Sequence, residues 1–314
     1  MTKSIFTAPH FNDEAAAYAY VEARLWPDGP VCPHCGVIGK AGVLKGKTDR
    51  IGSHKCYACR KKFTVKVGTI FEASHIQMRD WLTAIHLLCS SKKGFSANQL
   101  SRTLGITLKS AWFVGHRIRE AMRSGELAPF GSAGGDVEVD ETFIGHDPDA
   151  RPTPAHANPS WVEKIKVLSL VDRASGQARS FVVDSLSAKD VRPILEANIA
   201  KEARFMTDEA KRYVVIGRDF AEHGTVHHGQ DEYVSPDDPS IHINALEGYF
   251  SIFKRGMCGI YQHASKRHLH RYMAEFDFRY SHRARLGLND TERANFALAG
   301  VTGNRLKYRS NNCA

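Results

Sequence analysis

Two CxxC pairs, "CPHC" at Cys32 and Cys35 and "CYAC" at Cys56 and Cys59, stand twenty residues apart near the front of a 314-residue chain. Each pair sets two thiols on one tight turn, and the intervening "GVIGKAGVLKGKTDRIGSHK" is long enough for a hairpin that returns the second pair to the first. Four thiolates at tetrahedral corners suit Zn²⁺, and a closed four-sulfur shell makes such a site structural. The competing readings are two disulfides, which a cytosolic chain disfavours, and a redox CxxC, which has no use for a twin. The spacing predicts a zinc ribbon over 28–75, behind an N-terminal helical segment at 1–27. His34 and His54 lie nearby but are not needed in a filled shell, and Cys89, Cys258 and Cys313 lack matching partners. "RKKFTVKVGTIFE" alternates and reads as the ribbon's last strand. Its Arg60, Lys61, Lys62 and Lys66 either touch phosphate or guard a solvated edge.

Charge is unevenly spread. Residues 1–125 hold 19 of the 43 Lys+Arg and 8 of the 34 Asp+Glu, which leaves 24 basic against 26 acidic residues for the remainder. A basic front attracts phosphate, and a near-neutral body has another task. The N-terminus lacks a basic stretch followed by a long apolar run, and no later window is apolar enough to cross a bilayer, so the expected place is the cytoplasm, without membrane contact.

Residues 76–128 read as three helical pieces with apolar stripes: Trp81, Ile85 and Leu88; Ala97, Leu100 and Leu104; Ala111, Val114, Ile118 and Ala121. "LGIT" separates the last two, with Gly105 able to end one helix and Thr107 able to cap the next. This is the layout of a helix-turn-helix, in which Lys109, Ser110, Trp112, His116 and Arg117 are candidates to face DNA. A plain three-helix packing unit would look the same.

From about residue 130 the pattern alternates. In "GGDVEVDETF", Val137 and Val139 face one side while Asp136, Glu138 and Asp140 face the other. A turn-rich loop, "GHDPDARPTPAHANPS", precedes two strands, "KIKVLSLVDR" and "GQARSFVVDSL". A helix near "SAKDVRPILEANI", the strand "RFMTD", a helix around "AKRYVVIG", the extended "GTVHHGQDEYV" and the helix "NALEGYFSIFKR" follow. Three strands, helix, strand, helix, strand and helix is the order of a ribonuclease-H-like sheet, here over 129–290 with a tail at 291–314. The fold class is thus multidomain α/β: zinc ribbon, helix-turn-helix segment and ribonuclease-H-like mixed α/β catalytic domain. Such a sheet brings together acids from its first strand, fourth strand and a late helix, here Asp140, Asp208 and Glu247. Three hard oxygen ligands at one point suit Mg²⁺, and two ions about 4 Å apart act on a phosphodiester. Glu141 and Glu209, as strand neighbours, are expected to point away.

Through "CPHC", "GTIFE", "EVDETFIG", "FMTDEAKRY", "HINALEGYFSIFKRGMCGIY" and "YMAEFDFRYSHR", nearly the whole chain resembles bacterial insertion-sequence transposases of the DDE superfamily, in the subgroup with a zinc ribbon before the catalytic domain. The resemblance implies that Asp140 and Asp208 are catalytic, and that either Glu247 or Asn244 is the third residue. Glu247 is preferred because a carboxylate binds Mg²⁺ or Mn²⁺ better than a neutral amide. Lys254, seven residues on, matches the family's basic residue after the last acid. Arg255 extends a basic run through Lys266, Arg267 and Arg271, with DNA contact expected at Lys254 and Arg255. The implied partners are double-stranded DNA, as terminal inverted repeats and as target, and further copies of the chain on that DNA in the bacterial nucleoid. Two rivals stand beside this reading: a non-catalytic DNA-binding regulator derived from such an enzyme, and a ribonuclease-H-like nuclease without strand transfer.

Overall fold

The computed structural model describes residues 4–123, 125, 128–150, 163–230, 232–303 and 306. Residues 151–160 of the turn-rich loop, Cys313 and most of the stretch beyond 303 lie outside the described residues. Contacts divide the chain into two units, one of residues 1–91, 95–123 and 289–314, the other of 92–94 and 124–288.

The first unit opens with helices α1 (Pro9–Asn12) and α2 (Glu14–Leu25); Asp13 caps α2 by accepting from the Ala16 amide at 2.8 Å. An antiparallel sheet follows, β1 (Ala41–Val43), β2 (His54–Cys56) and β3 (Lys62–Phe63), in that order. The ribbon's last strand is shorter than its alternation predicts. After Phe63 the chain turns, with Val67 donating to Thr64 and Thr69 to Lys66, and buries Val65, Ile70 and Phe71. Those three apolar residues gain more by entering the interior than by extending a two-residue edge.

Helices α3 (Met78–Ser90), α4 (Ala97–Leu104) and α5 (Leu108–Ala121) carry the expected stripes. Gly105 closes α4 in the left-handed region at φ 65°, and the Thr107 hydroxyl accepts from the Ser110 amide at 3.2 Å to begin α5. A further helix, α10 (Asp290–Ala299), is opened by an Asn289/Glu292 capping box and packed on α3. Its periodic Arg293, Ala297 and Leu298 are buried.

In the second unit β4 (Asp136–Ile144), β5 (Ile165–Asp172) and β6 (Ala178–Val183) run antiparallel. Helix α6 (Ala188–Asn198) then leads to β7 (Arg204–Asp208), and α7 (Lys211–Ile216) leads to β8 (Glu222–Val226), with both strands parallel to β4. The sheet order is β6-β5-β4-β7-β8, the ribonuclease-H-like arrangement. One face packs Val137, Val139, Leu168, Leu170 and Phe205 with residues of α6 and α7. The other face packs Ile165, Val167 and Val171 with α8 (Asn244–Gly256) and α9 (Lys266–Ser281). Helix α9 is more than a wetted basic run, since Leu269, Tyr272, Met273 and Phe276 are core. Among described residues no helix is long and apolar enough to cross a membrane.

Helix α3 lacks a side-chain cap from its own N-cap residue, Gln77; instead the Glu14 carboxylate of α2 accepts from the Met78 and Arg79 amides at 2.8 and 3.1 Å. Replacing Glu14 with Ala leaves those donors unmet at the helix's positive end and is expected to cost about 1–3 kcal/mol in chemical denaturation. A variant as stable as the parent would show the cap to be dispensable.

Candidate active site

Around the cysteines, Cys32 and Cys59 place their sulfurs 3.6 Å apart and Cys35 and Cys56 theirs 3.7 Å apart, and all four lie within 4.8 Å of one another. Zn–S bonds of about 2.3 Å in a tetrahedron require sulfurs roughly 3.8 Å apart, so the cluster fits that ion. The Cys59 amide donates to Cys56 Sγ at 3.5 Å and is the main cause drawing that thiol down to about 7, whereas Cys35, despite the Val37 backbone bond that lowers it, is pushed up to about 12 by burial and by the other three thiols, so the crowded set favours one thiolate before a metal arrives. Of the basic residues that follow, Lys62 pairs with Asp49 at 3.0 Å and Lys66 donates to the Ile76 carbonyl at 3.0 Å.

On α5, Lys109 is exposed and Ser110 partly so, at the end nearest the turn. Arg117 departs from its expected place on a DNA-facing surface. It is buried, and its guanidinium donates to the carbonyls of Ile70 and Glu72 at 2.6 and 2.7 Å. His116 is also buried, with half-buried Trp112 tilted against it at 4.0 Å. The stripe that packs a helix and the face that would meet a groove overlap here, and the core wins because burying apolar neighbours on both sides leaves Arg117 near carbonyls that can satisfy it.

In the second unit, β4 and β7 pair in parallel with Asp136 opposite Arg204 and Glu138 opposite Met206, a register that carried on sets Asp140 against Asp208. Oxygens of Asp140, Glu141 and Asp208 lie within 4.8 Å of one another. Asp140 is pushed up to about 8, chiefly by burial, then by the charges of Asp208 and Glu247, with Lys254 and Arg212 opposing. Asp208 is raised as well, again chiefly by burial, while the Ala210 amide, 3.1 Å from its Oδ1, and His228 pull it down.

Glu247 sits on the first turn of α8, with Oε1 3.6 Å from His228 Nε2. Its carboxylate is outside the close cluster of three, yet near enough for its charge to raise Asp140. Asn244 is exposed at the start of the same helix. Lys254, two turns beyond Glu247, is exposed and its charge reaches Asp140. Arg255 folds back on its own helix, donating to the Ser251 carbonyl at 2.9 Å and hydroxyl at 2.7 Å. Lys266 is held by Asp147, Asp149 and Asp184.

Two neighbours of the acids behave differently. Glu209 accepts from the His228 and Gly229 amides at 3.0 and 3.1 Å and so is turned to the β8 loop. Glu141 comes into the cluster, contrary to the simple expectation from alternation. It pairs with Arg212 and accepts from Tyr213 Oη at 2.6 Å, both on α7, so it does lie toward the opposite face from Asp140. Paired strand ends at Asp208, however, and at an open strand end oxygens from two faces can approach one another. Neither Arg212 nor His228 was suggested by spacing, because each acts from a segment next to an acid in space rather than on the same periodic face.

The chain matches two family models: the ISXO2-like transposase domain over residues 132–281 and the transposase zinc-ribbon domain over residues 12–62. It is also 24% identical, over 279 residues covering 85% of this chain and 90% of the relative, to an uncharacterized protein in transposable element ISH50 of Halobacterium salinarum.

The crowded carboxylates make stability depend on pH. Asp140 ionises near 3.8 when unfolded and near 8 when folded, so between these values the folded state holds the extra proton. Its contribution is complete at low pH and is lost as pH rises toward 8. With no divalent cation at the acids, Asp140 should therefore contribute a loss of stability from about pH 4 to 8 with a slope approaching about 1.4 kcal/mol per pH unit. Asp140→Asn should flatten that slope and be more stable than the parent at pH 8, and a saturating divalent cation should do likewise for the parent; parallel melting profiles for the two would contradict the geometry. At the other cluster, elemental analysis should find about one zinc per chain, lost in Cys56→Ser together with structure near the ribbon.

Proposed function

We propose, given that the chain is a member of the zinc-ribbon-bearing insertion-sequence transposases, that it binds the terminal inverted repeats of its element and catalyses DNA strand cleavage and strand transfer into target DNA. The observation that carries this reading is the approach of Asp140 and Asp208 oxygens to within 4.8 Å on neighbouring strands, with Glu247 close enough to add its charge. Three carboxylates drawn together at the cost of mutual repulsion are an arrangement for cations, and their hard oxygens fit Mg²⁺ or Mn²⁺. When bound, such ions activate an attacking oxygen and stabilise the leaving oxygen of a phosphodiester.

In this reading Asp140 and Asp208 hold the ions, and Glu247 completes the set from α8. Glu141, paired with Arg212 and accepting from the Tyr213 hydroxyl, steadies the rim of the cluster. Lys254 lies where its ammonium can hold a phosphate of the DNA end, and Arg255 stands beside it on the exposed side of α8. Water attacks first to free a 3′-hydroxyl, which then attacks the target strand in line, so no covalent bond to the protein is needed. Lys109 and Ser110 are the exposed candidates for repeat recognition, and the ribbon adds positive charge. The enzyme acts as a homo-oligomer on double-stranded DNA in the bacterial nucleoid.

Incubating the protein with Mg²⁺ and DNA carrying the element's ends, then mapping nicks and joined products, tests the proposal; absence of any product at those ends would sink it. Asp140→Asn and Asp208→Asn should each lower cleavage by at least about 10²-fold while repeat binding persists, because the amide keeps shape and removes charge. Glu247→Gln should behave alike. If Asn244→Ala is inactive while Glu247→Gln is active, the third residue is Asn244. Lys254→Ala should slow strand transfer and reduce the salt slope of binding to precut ends by about one. Unchanged transfer and slope would return Lys254 to the solvated surface.

A further inference from the structure

Helix α8 begins without a side-chain cap from its own N-cap residue, Ile243. Tyr280 of α9 donates to the Ala245 carbonyl at 3.1 Å, and a second group that holds the first turn comes from the sheet. Glu138, on β4 two residues before Asp140 and on the same face, is fully buried. Its Oε2 accepts from the Leu246 amide at 2.8 Å, a donor shared with the Ile243 carbonyl. Its Oε1 accepts from Arg173 Nε at 2.6 Å and lies 3.4 Å from His242 Nδ1. The Arg173 guanidinium in turn binds Asp136 at 3.0 Å, the Ser240 carbonyl at 2.6 Å, and both the ring and the carbonyl of His242. Residues 240–246 are thereby attached at several points to β4 and to the turn after β5. Leu246 is itself completely buried, and the next residue is Glu247.

We infer that Glu138 is a positioning residue for the acidic site: its buried carboxylate, with Arg173, fixes the first turn of α8 and so sets where Glu247 stands relative to Asp140. The inference rests on the reading of Glu247 as a metal-holding acid. One strand supplies both reference points, Asp140 as a member of the cluster and Glu138 as the anchor for another element's member. The carboxylates repel, and nothing in their own attraction would keep Glu247 near Asp140 before a cation arrives. A charge-assisted bond at the third residue of α8 opposes that repulsion from within the core, where water does not weaken it. A carboxylate burying itself merely to glue a helix would serve stability alone; the adjacency of Leu246 to Glu247 ties this one to the geometry of the site.

The test uses full-length protein that keeps its ribbon zinc but is free of other divalent cations, and follows Mn²⁺ binding by electron paramagnetic resonance, with thermal melting and binding of duplex repeat DNA as checks on folding. Glu138→Ala and Glu247→Gln should each weaken Mn²⁺ binding about tenfold or more. In the Glu247→Gln background, Glu138→Ala should add no further loss, because its effect runs through Glu247. Wild-type Mn²⁺ affinity in Glu138→Ala, or a loss that repeats in full without Glu247, would overturn the inference. Unchanged affinity in Glu247→Gln would instead remove the reading of Glu247 on which it rests. Should Glu138→Ala fail to melt cooperatively, Glu138→Gln, which keeps the volume and one acceptor oxygen but gives Arg173 no charge, takes its place with the same expected and overturning results.

Discussion

Mutual repulsion of carboxylates at short range is the constraint around which the second unit is organised. Burial and two further negative charges raise Asp140 to about 8, a state that a folded chain sustains only if other interactions hold the acids where they are. The parallel register of β4 with β7 fixes the first two through the backbone. The third depends on a helix, and the helix depends on packing. Leu246, Tyr249, Phe250 and Phe253 sink one side of α8 into the core shared with α9, leaving Glu247 and Lys254 on the side that is not buried.

Cations are distributed with the same logic. Arg212 neutralises Glu141, Arg173 neutralises Glu138, and Arg204 joins Asp136 to Glu222 and Asp238, so most acids near β4 have a fixed partner. Asp140 and Asp208 have no ion pair of this kind at salt-bridge distance among the described residues, and they are two of the three acids whose oxygens lie within 4.8 Å of one another. Buried pairs contribute little net stability but are costly to break, which suits groups whose task is to hold geometry. In the other unit the four thiolates follow a parallel rule. Their close approach suits a zinc ion, and the ribbon's own apolar cluster is small.

The chain's order of elements was legible because the signals were local. Cysteine spacing, the alternation of "EVDETF", the Gly105 and Thr107 punctuation and the apolar stripe of α8 each follow from backbone geometry within a few residues. Asp140, Asp208 and Glu247 could be named once that order suggested a sheet, because strand order determines which strand ends become neighbours. Arg117 was not legible as an interior residue. Its periodic position suits both a packed and a groove-facing side, and only the carbonyls of Ile70 and Glu72, forty-odd residues away, decide between them.

Sequence by itself determined the four-cysteine cluster, the order of most strands and helices, and the approach of Asp140 to Asp208, since each rests on spacing along one segment or on strand order. Tertiary structure alone decided which charges are spent and which remain. Glu141 enters the cluster yet is neutralised by α7, Lys266 is held by three aspartates, and Glu138, which alternation groups with Asp140, is buried against the start of α8. The reason is that a carboxylate's role is set by its partners within a few ångströms, and those partners lie on segments that approach only when the core has formed.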